Sequence, residues 1–185
     1  VTGVQTCALP ILSARPALDM ALWFRVQSFL MHEARLQDDH QLTEWLALFS
    51  DDLRYWMPVV TNRIGRDIGK EISAFGEVAH FDDDKTSLSN RVKRLQTGMA
   101  WAETPPSRTR HMVSNVEVMQ VGDDGVLQVR SNFLLYRSHL EYDFEIFSGD
   151  RLDHLRPHGD SWLICRRDII LDQSVVTQKN LGIFF

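Results

Sequence analysis

Cysteine is nearly absent from this chain. Cys7 and Cys165 are the only two in 185 residues. That is too few for a disulfide framework and predicts a reducing compartment, the cytoplasm. A basic block is also missing. Lys plus Arg number 20 against 25 Asp plus Glu, a net charge of −5, which argues against a nucleic-acid partner. Long apolar runs are missing too. The longest uncharged stretch, Val1 to Ala14, holds Pro10, Gln5 and two Thr. It falls short of the roughly 18 apolar residues of a membrane helix, so no membrane partner is expected. The start of the chain has neither the basic opening nor the cleavage pattern of a signal peptide. There is no Gly-rich phosphate loop, no G-x-S-x-G elbow and no paired-Cys motif. No repeat or low-complexity tract divides the chain.

What is present suits one soluble domain. Apolar residues make up 44% and charged residues 24%, an ordinary globular mix. The length fits a single core without staples. Val1 to Ile11 (V-T-G-V-Q-T-C-A-L-P-I) has no apolar period and no cap. It reads as the translation of a sequencing adapter or as a disordered tail, leaving 12–185 as the domain. Resequencing the source DNA across that junction tests this.

Leu22, Val26, Phe29, Leu30 and Leu36 share one face of a predicted helix from about Leu18 to Gln37. Asp38 or Asp39 then caps a second, from about His40 to Phe49, where Leu42, Trp45, Leu46 and Phe49 form a stripe. Asp51-Asp52 punctuates. Leu53 to Thr61 reads as a strand that Pro58 ends or confines to an edge. Asn62 to Asp84 is long, polar and Gly-bearing, and reads as a functional loop. Asp84 or Thr86 caps a third helix reaching about Trp101, and Pro105-Pro106 closes it off. Strands follow: Arg108 to Val121, a Gly122-Asp123-Asp124-Gly125 turn, Val126 to Tyr142, a strand or strand pair over Phe144 to Arg156, and Ser161 to Leu171. On the last, Leu163, Cys165, Ile169 and Leu171 are expected to share the buried face, making Cys165 an inert buried thiol. Helices first and a meandering antiparallel sheet after them predict an α+β fold, a curved sheet wrapped around a helix.

Local chemistry is sparse. A Rieske cluster needs two Cys and two His at fixed spacing; Cys165 is followed by Arg166-Arg167, and no C-x-H pair exists. His154 and His158 lie four apart, but Pro157 between them and a strand context argue against a metal site. His80-Phe81-Asp82-Asp83-Asp84 is the densest acidic cluster. His80 with Asp82 suits an acid/base pair, a docking surface for a partner's Arg or Lys, or a solvated loop ending in a helix cap. Arg108 and Arg110 alternate at a strand start, placed to pair across a subunit contact or with this chain's own Asp residues. Tyr55-Trp56-Met57 and the closing Ile183-Phe184-Phe185 suit a core or an interface alike.

Several stretches, taken in order, resemble the small (beta) subunit of aromatic-ring-hydroxylating dioxygenases of the biphenyl, benzene and isopropylbenzene type. They are Phe29-Leu30-Met31-His32-Glu33-Ala34, Glu44-Trp45-Leu46-Ala47-Leu48, Tyr55-Trp56-Met57-Pro58, Ala79-His80-Phe81-Asp82-Asp83-Asp84, Trp101-Ala102-Glu103, Ser107-Arg108-Thr109-Arg110-His111-Met112-Val113-Ser114-Asn115-Val116, Ile169-Ile170-Leu171-Asp172-Gln173-Ser174 and Phe184-Phe185. Each is weak alone; their order and spacing are specific. Val1 to Ile11 and the loop from Asn62 to Glu77 depart from the pattern.

The resemblance implies a ketosteroid-isomerase-like (cystatin-like) cone and a structural, non-catalytic role. It also implies a large (alpha) subunit as partner, three large with three small. That partner would carry a Rieske [2Fe-2S] cluster and a mononuclear non-haem iron, with none in this chain. A ferredoxin and a reductase would feed electrons to a reaction of arene and dioxygen that gives a cis-dihydrodiol. Tyr55, Trp56, His80, Asp82, Asp83, Arg108, Arg110 and Phe185 are then the expected subunit contacts. The rival expectation is a stand-alone dehydratase or isomerase of the same cone, with His80 and Asp82 near Tyr55 inside it. An open polar pocket would favour the rival; a cone filled by side chains would favour assembly.

Overall fold

The computed structural model describes residues 19–61, 72–73, 77–97, 103–122, 124–174 and 182–185. Val1 to Ile11, most of the loop from Asn62 to Gly76, and the expected third-helix end at Trp101 lie outside these.

Helix α1 runs Met20–Asp38, opened by the Asp19 carboxylate, which accepts from the Ala21 and Leu22 amides. Its buried stripe is Val26, Phe29, Leu30, Glu33, Ala34, Leu36 and Gln37. The apolar members follow the spacing that placed the helix; Glu33 and Gln37 are polar side chains on the same buried face. The second helix is much shorter than its sequence stripe. α2 covers Leu42–Leu46 only, with Gln41 at its start. Asp38 does not cap it, because its carboxylate accepts from the His111 amide instead.

Strand β1 is Phe49–Pro58, so Phe49 belongs to a strand and Asp51-Asp52 lie within it. The supposed loop holds a further strand, β2 (Ala79–Asp83). Two charged residues in five hid its alternation. Asp84 then caps α3 (Lys85–Gln96), accepting from the Ser87 amide at 2.7 Å. The remaining strands are β3 (Arg108–Val121), β4 (Leu127–His139), β5 (Asp143–His158) and β6 (Ser161–Leu171). The β3–β4 turn closes with Gly125 at φ +77°, where a side chain is disfavoured. β5 is a single strand of 16 residues, not a pair.

All six strands form one sheet in the order β2-β1-β6-β5-β4-β3. Every neighbouring pair is antiparallel except β1 with β6. Pro58 ends β1, which lies inside the sheet; the edges are β2 and β3. α1 lies along β3 and blunts that edge: Asp38 takes the His111 amide and Trp23 Nε1 donates to the Val116 oxygen at 2.9 Å. On β6 the expected buried face is displaced. Register slips between His154 and Leu155, so that Arg166 and Ile164 take successive partners and Cys165 takes none. Trp162 and Ile164 therefore join Ile169 and Leu171 inside, while Leu163 and Cys165 are only half-buried.

Candidate functional site

The centre of the cone holds charge. Glu33 of α1, Arg151 and Asp153 of β5, and Arg167 of β6 are all essentially without exposure. Arg167 donates to Glu33 at 2.8 Å and to both oxygens of Asp153, at 2.7 and 3.1 Å. Arg151 reaches Glu33 at 3.2 Å, and its Nε lies 3.3 Å from Asp153. Trp45 Nε1 and Gln37 Nε2 complete the Glu33 shell at 2.7 and 2.6 Å. Two cations face two anions, so the quartet is neutral as a whole. Burial alone would raise the Glu33 carboxyl; Arg167 and Arg151, with hydrogen bonds from Arg167 and Trp45, hold it down to about 2.

Aromatic residues fill the rest. The Phe185 ring meets Phe81, Phe133 and Phe147 at centroid distances of 6.4, 5.8 and 5.4 Å. The Tyr55 hydroxyl donates to the Phe185 oxygen and accepts from the Phe185 amide, both at 2.8 Å. Arg167 Nη1 also donates to that oxygen at 2.9 Å. Burial pushes the Tyr55 phenol far above its ordinary range, so it stays protonated. Phe184 stacks on Trp45 at 4.5 Å. Gly149 makes room for this packing, since a Cβ there would sit 2.2 Å from the Ile170 oxygen. The cone's centre has carboxylate, guanidinium and phenol, the ingredients of acid/base chemistry. Glu33, Asp153, Arg167 and Tyr55 are engaged with one another and with Phe185, while Nε and Nη2 of Arg151 are buried without a hydrogen-bond partner.

Of the eight residues singled out in the sequence, Tyr55 and Phe185 meet each other inside the subunit. Asp83 is buried and paired with Arg91 at 2.6 Å; burial pushes its carboxyl up, against the pull of Arg91. His80 and Asp82 do not share the cone with Tyr55. On β2, Phe81 and Asp83 point inward, so the alternate residues His80 and Asp82 face out. His80 is half-buried, which lowers its pKa, and Asp82 is exposed and paired with Arg54. The internal acid/base pair of the rival reading is therefore not formed. Trp56 stands half-buried on the same outer face, opposite both Asp82 and Asp168.

Arg108 and Arg110 are exposed on the outer face of β3. Arg110 lies 3.6 Å from Asp38 of its own chain. They border rows that cross three strands. Arg110, Tyr136 and Ile146 are register partners, as are Arg108, Ser138 and Phe144, and Met112, Leu134 and Ser148. The apolar members are 38–66% exposed. Partners in register share a face, so the rows form one continuous apolar surface.

The quartet was missed in the sequence. Its signal was parity: Arg151 and Asp153 fall in step with the inward Phe147 and Leu155, and Glu33 falls within the apolar stripe of α1.

The donors for metal do not fit. Among the described residues no group of three or more His, Cys, Asp and Glu is placed to hold an ion. Among the described residues Cys165 has no second thiol near it, and burial raises its pKa. A Rieske cluster would lack its ligands here.

A chain of naphthalene 1,2-dioxygenase with indole bound superposes with a TM-score of 0.79 at 21% identity, covering 92% of this chain and 89% of that one. This likeness supports the ketosteroid-isomerase-like cone. The beta subunit of benzoate 1,2-dioxygenase from Burkholderia mallei matches with a TM-score of 0.65 at 25% identity, covering 84% and 91%. The 3-phenylpropionate/cinnamic acid dioxygenase subunit beta of Photorhabdus laumondii subsp. laumondii is 44% identical over 166 residues, 89% of this chain and 92% of that protein. The family model described as "Ring hydroxylating beta subunit" matches residues 32–178. Filled cone, outer apolar face and shared sequence agree: the chain belongs to the ring-hydroxylating beta-subunit family.

Proposed function

We propose that this chain is the non-catalytic assembly subunit of the terminal oxygenase of a multicomponent ring-hydroxylating dioxygenase. The complex adds dioxygen to an arene to give a cis-dihydrodiol in the cytoplasm. The large subunit carries the Rieske cluster and the mononuclear iron and performs the chemistry. Three large and three small subunits assemble, and a ferredoxin and a reductase supply electrons.

The observation that carries this reading is the outer face of β3–β4–β5. Met112, Leu134, Tyr136, Phe144 and Ile146 expose apolar surface in one patch. A patch of that kind, rimmed by charge, is the anatomy of a subunit contact. Arg108 and Arg110 rim it and fix register by pairing across the contact. Trp56, His80 and Asp82 form a second contact on β1 and β2. Tyr55, Asp83 and Phe185 act behind these surfaces by holding their strands in place.

The test is a pull-down of the tagged chain expressed from its own gene neighbourhood. A coloured complex with iron, acid-labile sulfide and a larger polypeptide in equal amount is expected. A colourless chain recovered alone, with the larger polypeptide shown to be expressed, overturns the reading.

A further inference from the structure

His111 sits where α1, β3 and residues 182–185 meet. It stands opposite Leu135 of β4, and its side chain is 4% exposed. Nδ1 lies 2.6 Å from the Asp38 carboxylate at the end of α1, and Nε2 lies 3.0 Å from the Phe184 backbone oxygen. Both neighbours are acceptors. A neutral imidazole has one N–H and one lone pair, so it satisfies one of them and turns its lone pair on the other. Asp38 also accepts from the His111 amide with both oxygens at 3.1 Å and lies 3.6 Å from Arg110. Its oxygens thus serve as acceptors, and the second proton belongs on the ring. The other charged groups around the ring are few. Arg35 and Arg110 line the groove beside Asp38 and His111, and a guanidinium stays charged throughout. On the cavity wall beyond, Glu103 accepts from Ser107 at 2.5 Å and from Arg137 at 2.8 Å, and His40 is exposed. Among the described residues lining that cavity, α2 and α3 contribute no charge. Residues 182–185 have no titratable side chain.

We propose that His111 is a proton-operated latch on the Phe184–Phe185 pair. With both ring nitrogens protonated it bridges α1 to the Phe184 backbone. When rising pH removes one proton, it gives up the Phe184 bond. Geometry decides which bond goes. The Nδ1 contact is the shorter and ends on a carboxylate, so the remaining proton stays there, and Nε2 turns its lone pair on the carbonyl. The Phe184 oxygen and the Phe185 amide belong to one peptide group. His111 holds its oxygen, and the Tyr55 hydroxyl accepts from its N–H at 2.8 Å. On either side of that group, Phe184 stacks on Trp45 and Phe185 sits among Phe81, Phe133 and Phe147. Release at His111 therefore loosens the centre of the cone. The sign is opposite to that of Glu33, whose ionised form is the paired one. The Glu33 contribution is lost as pH falls; the His111 contribution is lost as pH rises.

The test follows the full, isotope-labelled chain by NMR from about pH 6 to about pH 9, the span in which imidazoles change charge. The His111 ring nitrogens, assigned through the β3 backbone, report their protons directly. Exchange of the Phe185 amide, corrected for the intrinsic rate at each pH, is read alongside. Two protonated ring nitrogens are expected at the acid end. Loss of one is expected to cut Phe185 amide protection roughly tenfold, the worth of one charge-assisted hydrogen bond. His111→Gln cannot titrate and is expected to show no such fall. Should His111→Gln fail to fold, the wild-type ring and amide still decide, because the two must change together. One bare ring nitrogen throughout the range, amide protection that ignores the ring's titration, or the same fall in His111→Gln overturns the proposal.

Discussion

The two faces of β4 and β5 each carry residues that the usual distribution would put on the other. Facing the helices are Ser131, Arg137, Arg151 and Asp153, all buried. Facing outward are Leu134, Tyr136, Phe144 and Ile146, all exposed. Buried charge is tolerable when each ion faces its counter-ion, and the quartet pairs two cations with two anions, although Nε and Nη2 of Arg151 stay without a hydrogen-bond partner. Exposed apolar surface is tolerable when something covers it. The inner face pairs its charges within one chain, whereas the outer face is the one we propose a partner covers. That difference is what the proposed assembly role requires.

The comparison can be broken first from the inside. Glu33→Ala leaves Arg151 and Arg167 facing a single carboxylate, and a loss of about 3–5 kcal/mol is expected in denaturant unfolding. A loss under about 1 kcal/mol would mean that the quartet is not a unit. Phe185→Ala empties a space lined by Phe81, Phe133 and Phe147, and about 3 kcal/mol is expected to go with it. Acid probes the same region reversibly. The Glu33 carboxyl titrates at about 2 in the folded chain against an ordinary 4.5. The unfolded chain takes up the proton first, so the Glu33 contribution is whole above pH 4.5 and disappears as pH falls toward 2. Urea midpoints across that window should fall more steeply for wild type than for Glu33→Gln. Last comes the outer face. Ile146→Asp should change the stability of the isolated chain by less than about 0.5 kcal/mol. It should nonetheless cut recovery of the larger polypeptide in the pull-down. Equal recovery would sharpen the comparison against the assembly face and leave the β1–β2 surface as the contact.

How much of this was legible in the sequence depended on whether a pattern was local. α1, α3 and the β3–β4 hairpin announce themselves by period, cap and turn, and they stand close to where those signals put them. α2 failed because Phe49 satisfied the helical stripe while pairing as a strand. β2 failed because its charges masked alternation. β6 has its expected bounds and buries Ile169 and Leu171 as expected, but a bulge at Cys165 turned Leu163 and Cys165 off the buried face, and a bulge leaves no trace in composition. The filled centre failed for a different reason. Its members lie as much as 134 residues apart, as Glu33 and Arg167 do, and only the packing of α1 against the sheet brings them together. Asp82 and His80 read as a pair in sequence, yet strand alternation set them outside, away from Tyr55.

The lodging of Phe185 among the rings also orders events in time. Residues 182–185 follow β6 in the chain, so no ribosome can deliver them before every strand exists. Until they arrive, the Tyr55 hydroxyl lacks its Phe185 backbone partners, Arg167 keeps Glu33 and Asp153 but not the Phe185 oxygen, and the rings of Phe81, Phe133 and Phe147 surround a gap. A chain interrupted during synthesis would thus carry its defect at its very centre, visible to proteases as a loosened fold.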